Sequence, residues 1–206
     1  MNAPLAMQHE VRLADLGDAL LVERVEGFVA EQGASPFHCP AWLQAVEAGT
    51  GQRAAGFVAE QLGVITGWLP LTEVRSALFG KALVSSGFGV GGGLIAASTE
   101  AAQALIKAAQ DHAVAGGFAS LELRGGEVPE GEGWRQWDDK HCGFERALAA
   151  DDEAELLAIP RKARAEVRKG LKGDLTVRIG RDASDLRAHY RVYSESVRNL
   201  GTPVFP

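Results

Sequence analysis

A chain of 206 residues can bury a real core and form one or two small domains. Its formal net charge of −6, with 46% hydrophobic and 23% charged residues, argues for a globular protein and against nucleic-acid binding over the whole surface, while leaving room for a local basic site. Cys39 and Cys142 are the only cysteines and form no CxxC pair, which argues against a disulfide scaffold or a zinc knuckle. No apolar run reaches the ~18 residues of a membrane span, and the N-terminus makes a poor signal peptide, so a cytoplasmic location is expected.

The first element expected is a helix over Asp15 to Glu31, with Leu20, Leu21, Val25, Phe28 and Val29 as a broad apolar stripe. Pro40 suits the first position of a short helix reaching Ala48. A strand pair follows, Ala54 to Glu60 and Val64 to Leu71, with its turn at Gln61 to Gly63. Pro70 predicts an edge position or the end of the second strand. Short extended pieces are expected at Ala82 to Ser86 and Gly93 to Ala96, around a glycine loop. Ser98 or Thr99 can cap a helix reaching about Ala115, which Gly116 and Gly117 stop. Phe118 to Arg124 alternates as a strand, and a further strand is expected to end at Phe144 to Leu148. Asp151 to Glu155 opens a short acidic helix, the charge a first turn favours. Composition then turns from acidic to basic within a dozen residues, which places a domain boundary near residue 150.

The basic stretch from Ile159 reads as a helix in which Ala163, Val167, Gly170 and Leu171 form the packed side. Arg161, Arg164, Arg168 and Lys172 recur at three- and four-residue spacing on another side, with no carboxylate among them. Arginine's rigid fork suits phosphate, so this face is either a contact for a phosphorylated ligand or a solvated helical face. A last helix, Ala183 to Asn199, carries a packing stripe of Leu186, Tyr190, Tyr193, Val197 and Leu200. Arg198 and Asn199 stand at its end, before Gly201, and are candidate site residues.

Among the remaining candidates, His38 lies in Pro36-Phe-His-Cys-Pro-Ala-Trp42 at a helix entrance, where it and Trp42 can contact substrate. His112 sits on an apolar helix face and reads as a core histidine with a partner. The histidines have no metal-ligand spacing, and Cys39 has no evident partner base, so neither a metal nor a thiol nucleophile is expected. Gly87 to Gly93 is not a Walker loop, since no Gly-Lys-Ser/Thr follows, and it does not open a helix as a dinucleotide fingerprint would. It is either a wall of a substrate cleft or a structural turn region.

The order β–β–β–α–β resembles the core of a GNAT-type acyltransferase. The stretch Leu94-Ile-Ala-Ala-Ser-Thr99 lacks the Arg/Gln-x-x-Gly-x-Gly/Ala loop of acetyl-CoA users, so no cofactor is expected. Seven segments occur in a specific order: Ser35 to Trp42, Val64 to Leu71, Leu78 to Ser85, Gly91 to Ile95, Leu121 to Arg124, Arg164 to Lys169 and Arg198 to Phe205. Together they resemble the FemAB-like proteins, in the branch associated with exosortase and PEP-CTERM exopolysaccharide systems, over Ala34 to Pro206. The resemblance implies an α/β fold: a GNAT-like mixed sheet flanked by helices over residues 1–150, then the incomplete start of a second GNAT-like domain over 151–206. It implies a chain that stops part-way through that second domain. It also implies an acyl- or aminoacyl-transferase acting on a phosphorylated cell-envelope or exopolysaccharide precursor, with aminoacyl-tRNA a partner of the complete protein and DNA not a partner, and the 206 residues alone are expected to be inactive. Arg161, Arg164, Arg168, Arg198, Asn199, His38 and Trp42 are its substrate-binding candidates. No general base is assignable from the sequence. A non-catalytic interaction protein of an envelope polysaccharide system and an acetyl-CoA-dependent N-acyltransferase stay open as alternatives.

Overall fold

The computed structural model describes residues 9–126, 129, 131–140 and 142–202. They fall into two compact units, Met1–Gln136 and Trp137–Pro206.

In the first unit a carboxylate sets the first helix. Asp15 turns back on the Gly17 amide (2.9 Å), so the helix α1 (Ala19–Glu31) starts later than the expected Asp15. Asp18 then caps it by accepting from the amides of Leu20 and Leu21. A short 3-10 turn (Pro36–His38) leads into α2 (Pro40–Thr50). Four strands, β1 (Glu10–Leu13), β2 (Arg53–Gln61), β3 (Val64–Ser76) and β4 (Gly80–Ser85), pair antiparallel in that order. Two residues, Ile95–Ala96, form β5, and α3 (Thr99–Ala115) follows, capped by the Ser98 hydroxyl. The strand β6 (Ser120–Glu122) then pairs parallel with β4. The result is a six-stranded mixed sheet flanked by helices, as the fold-class reading expected.

Strand alternation assigns the two faces. Phe57 and Ala59 of β2 point at α3, where they pack with Leu69, Leu71, Leu83, Leu105 and Ala109. Val58, between them, packs on the other face with Val25, Phe28, Leu43 and Trp68 from α1, α2 and β3. A bulge between Ala59 and Glu60 leaves Thr66 as an extra residue of β3. That one-residue slip lets both Ile65 and Trp68 face the α1–α2 side.

Pro70 corrects the expectation drawn from it. It lies inside β3, opposite Gly56 of β2, in an interior strand. Its carbonyl accepts from the Ser86 amide (3.2 Å) on the β4 side, so its missing N–H faces the same way. There β3 passes from one partner to another: Leu71 pairs with Ser85 of β4, whereas Trp68 pairs with Ile95 of β5. The proline occupies the gap, where no ladder bond is forfeited.

Next to this gap lies the main structural consequence. Ser86, Ile95 and Ala97 bond to successive positions of β3, at Pro70, Trp68 and Thr66. Thus β4 and β5 are one row of the sheet, interrupted by an excursion over residues 87–94. At the opposite end of the sheet the Glu73 carboxylate is buried against Arg75 (2.8 Å), His112 (3.2 Å) and Arg53 (3.6 Å). His112 therefore has the partner expected of it, and its ring lies between Phe57 and Phe118.

The second unit contains α4 (Asp152–Ala158), α5 (Arg161–Leu171) and α6 (Ala183–Asn199). Asp151 and Asp182 cap the first and last of these. None of its described residues is buried, so the expected packed sides of α5 and α6 are not packed: Val167, Leu171, Leu186 and Leu200 are all exposed. The strand expected at Phe144 to Leu148 is also absent. That stretch is irregular, and Phe144 and Leu148 are exposed, because the described residues of this unit include no strand for it to pair with. Residues 203–206, which close the Arg198 to Phe205 motif, lie outside the described residues.

Candidate active site: a glycine-lined cleft

The excursion opens a cleft of about 350 Å³, lined by Ser35 and His38, by residues 90–95, and by Arg124, Gly125 and Gly126. It lies beyond the carboxyl ends of the parallel neighbours β4 and β6, where open α/β sheets place their ligands.

Backbone contact holds the walls together. A Cβ on Gly93 would lie 1.9 Å from the Gly125 carbonyl oxygen, so only glycine lets these two segments meet. Gly92, at φ +81°, leaves no room for a Cβ beside Ser86 and Phe37. Ser86 and Phe88 are themselves left-handed, at φ 43° and 63°, which costs non-glycine residues about 1–3 kcal/mol each. Packed partners enforce that geometry. The Ser86 hydroxyl donates to the Phe37 carbonyl, and the Gly87 amide donates to the buried Thr72 hydroxyl (3.1 Å). Trp42 Nε1 donates to the Gly87 carbonyl (3.2 Å), and its ring stands edge-on to Phe37 (4.7 Å).

On the opposite wall the Arg124 amide donates to Ser85 Oγ (2.7 Å). Its guanidinium bonds Glu122 (2.7 Å) and the Gly89 carbonyl (3.2 Å). The Arg124–Glu122 pair leaves this wall close to neutral. His38 Nδ1 lies 3.0 Å from Ser35 Oγ and 3.3 Å from the Ser35 carbonyl, while the His38 carbonyl accepts from Trp68 Nε1 (2.8 Å). Burial pushes the His38 imidazole below the usual histidine range, against the opposing pull of the Ser35 and Gly93 carbonyls. The cleft therefore holds a neutral imidazole at neutral pH, a group able to accept a proton. Burial and the Glu26 charge raise the Cys39 thiol, which opposes thiolate chemistry there. Among the described residues no cluster of three or more His, Cys, Asp or Glu could hold a metal ion.

Of the sequence candidates, His38 lines the cleft, and Trp42 braces the excursion from behind. Arg161, Arg164 and Arg168 lie on α5, and Arg198 and Asn199 at the end of α6, all in the second unit. Arg164 bonds the carbonyls of Leu157 (2.7 Å) and Ile159 (2.8 Å), whereas Arg161 and Arg168 form no ion pair among the described residues. Ser35 and Arg124 lie in segments that carry the family resemblance, and Gly125 and Gly126 open a glycine cluster of the kind that can lie beside a ligand, but none of the four is among the substrate-binding candidates.

No protein-family model matches the chain, and no curated protein matches it. Solved structures do. A ribosomal-protein-alanine N-acetyltransferase from Brucella melitensis biovar Abortus 2308 is 13% identical, with a TM-score of 0.42 over 85% of this chain and 99% of that one. An aminoglycoside N-acetyltransferase AAC(6')-Iy in complex with CoA is 15% identical, with a TM-score of 0.41 over 88% and 99%. A GCN5-related N-acetyltransferase from Ralstonia eutropha JMP134 is 16% identical, with a TM-score of 0.37 over 85% and 99%. At these identities and scores the likeness carries no argument about chemistry. The sheet order above rests on this chain's own strand register.

Proposed function

We propose that this chain is an acyltransferase of the FemAB-like kind, which moves an aminoacyl group from aminoacyl-tRNA to an amine on a phosphorylated cell-envelope precursor. The observation that carries the reading is the interrupted β4–β5 row, which opens a glycine-lined cleft at the carboxyl ends of β4 and β6 with a neutral His38 inside it. The acyl carbonyl of the donor enters this cleft. The acceptor amine attacks it, the C–N amide bond forms and the ester C–O bond breaks. His38 takes the proton released by the amine and returns it to the departing ribose hydroxyl oxygen. The cations of Arg161, Arg164 and Arg168 hold ligand phosphate.

The test is binding and transfer with the full chain, using alanyl-tRNA and, separately, acetyl-CoA. Alanyl-tRNA is expected to bind with an affinity that falls as salt rises, because phosphate contacts release counterions. The R161E/R164E/R168E variant should bind it about tenfold or more weakly. His38→Ala should leave that binding intact and slow transfer by about a hundredfold. Saturable acetyl-CoA binding without tRNA binding would replace the aminoacyl reading by the acetyl-CoA one. Binding of neither, with capture of a partner protein from the envelope polysaccharide machinery, would make the chain an interaction protein.

A further inference from the structure

The end of the first unit farthest from the cleft carries a feature that acyl transfer does not use. The β3–β4 hairpin closes through Ser76, paired with Gly80, and its tip presents Leu78 and Phe79, which are 87% and 88% exposed. The tip is fixed rather than loose. Ser76 Oγ accepts from the amides of Leu78 (3.3 Å) and Phe79 (3.2 Å), and Gly80 supplies the left-handed residue at φ +80°. The two apolar side chains therefore stand on residues whose own N–H groups already have a partner.

Cations flank this tip. Arg75 and Lys81 face each other across the first ladder positions below it, and Arg53 of β2 lies beyond Arg75. The one carboxylate among them, Glu73, is buried beneath and shared by both arginines. Lys81 Nζ reaches the Gly116 carbonyl (3.4 Å), which brings in the end of α3, where Val114 is also exposed. The local balance is positive on a unit that is acidic as a whole.

We propose that this hairpin tip inserts shallowly into an anionic lipid surface. Three observations favour lipid over a protein partner. The patch is two side chains on one hairpin turn, and they bury far less than the ~800 Å² per partner of a stable protein interface. The turn amides of Leu78 and Phe79 already have a hydroxyl acceptor, so they can leave water without losing their partners. The surrounding cations match anionic headgroups, with apolar side chains reaching the headgroup–acyl boundary and basic ones staying at the surface. The inference is independent of the acyl-transfer reading.

The test is co-sedimentation of the full chain with vesicles of phosphatidylcholine containing phosphatidylglycerol, and with vesicles of phosphatidylcholine alone. Binding is expected to the anionic vesicles only and to weaken with salt. The L78S/F79S variant should lose about tenfold or more of that binding while keeping the circular dichroism of the parent. A Phe79→Trp variant should show a blue-shifted emission on adding anionic vesicles, a signal that reports the tip itself rather than the arginines of α5. Absence of vesicle binding, or binding that the double serine variant leaves unchanged, overturns the proposal. A dimer in solution that the same variant dissociates, without vesicle binding, also overturns it and makes the tip a contact between copies.

Discussion

The two units are built from helices of similar quality but differ in what those helices do. In the first, α1, α2 and α3 each bury a stripe on one face of the sheet, and residues such as Trp68, Leu43 and Leu105 are wholly enclosed. In the second, α5 and α6 have equally regular stripes and α6 has a good cap, yet no described residue is buried. Local signals such as caps and periodicity suffice to specify a helix. They do not supply the apolar burial that makes a folded unit cooperative.

The largest expected effect is a contrast between single truncations. Trp68→Ala removes an enclosed side chain and the hydrogen bond from Nε1 to His38, and should cost about 3–5 kcal/mol of the first unit's stability. Leu186→Ala, on the stripe of α6, should change stability by no more than about 0.5 kcal/mol. Chemical denaturation measures both. Equal losses would break the contrast and place a core where none is seen.

A smaller effect concerns charge. Burial alone would raise the Glu73 carboxyl, but bonds from Arg75 and His112 and the charges of Arg53 and Arg75 hold it below the usual glutamate value of 4.5. The unfolded chain therefore takes up this proton first as pH falls. The contribution of Glu73 is complete above about 4.5 and is lost as pH drops through the lower folded value. Glu73→Ala should cost about 2 kcal/mol at pH 7, because its arginine partners are more than half exposed, and should flatten this acid limb. An unaltered acid limb in the variant would remove Glu73 as its source.

The smallest effect belongs to the second unit. The Asp182 cap is held below its usual range by bonds from Ser184 and Asp185. Acidification through that range should fray only the first turn of α6, visible in amide chemical shifts of Ser184 and Asp185 with no change in the first unit. Collapse of both units together would show them to be energetically linked.

The elements that the sequence disclosed are those whose limits are local. Both ends of α3 follow from Ser98 and from Gly116-Gly117, and α6 lies where its periodicity and Asp182 place it. Pro70 misled because its effect depends on which strand lies beside it, and that partner changes at its own position. Phe144 to Leu148 has a strand's composition but no ladder partner among the described residues. The cleft was half legible. Its glycines and His38 stood out, but the pairing of Ser86 with Pro70 and of Ile95 with Trp68, which makes the opening, is a long-range register with no local signal. Arg124 and Gly125 reach the cleft only through the parallel pairing of β6.

The excursion over residues 87–94 has its two ends pinned by the same neighbour strand, at Pro70 and Trp68, about 7 Å apart at ordinary strand rise. The foot of the segment is locked, since Leu94 is buried in the core on the α3 side and Gly93 meets Gly125. Its crest is not: Val90 is 83% exposed, and exchanges there alter what the opening admits while the sheet beneath keeps its register.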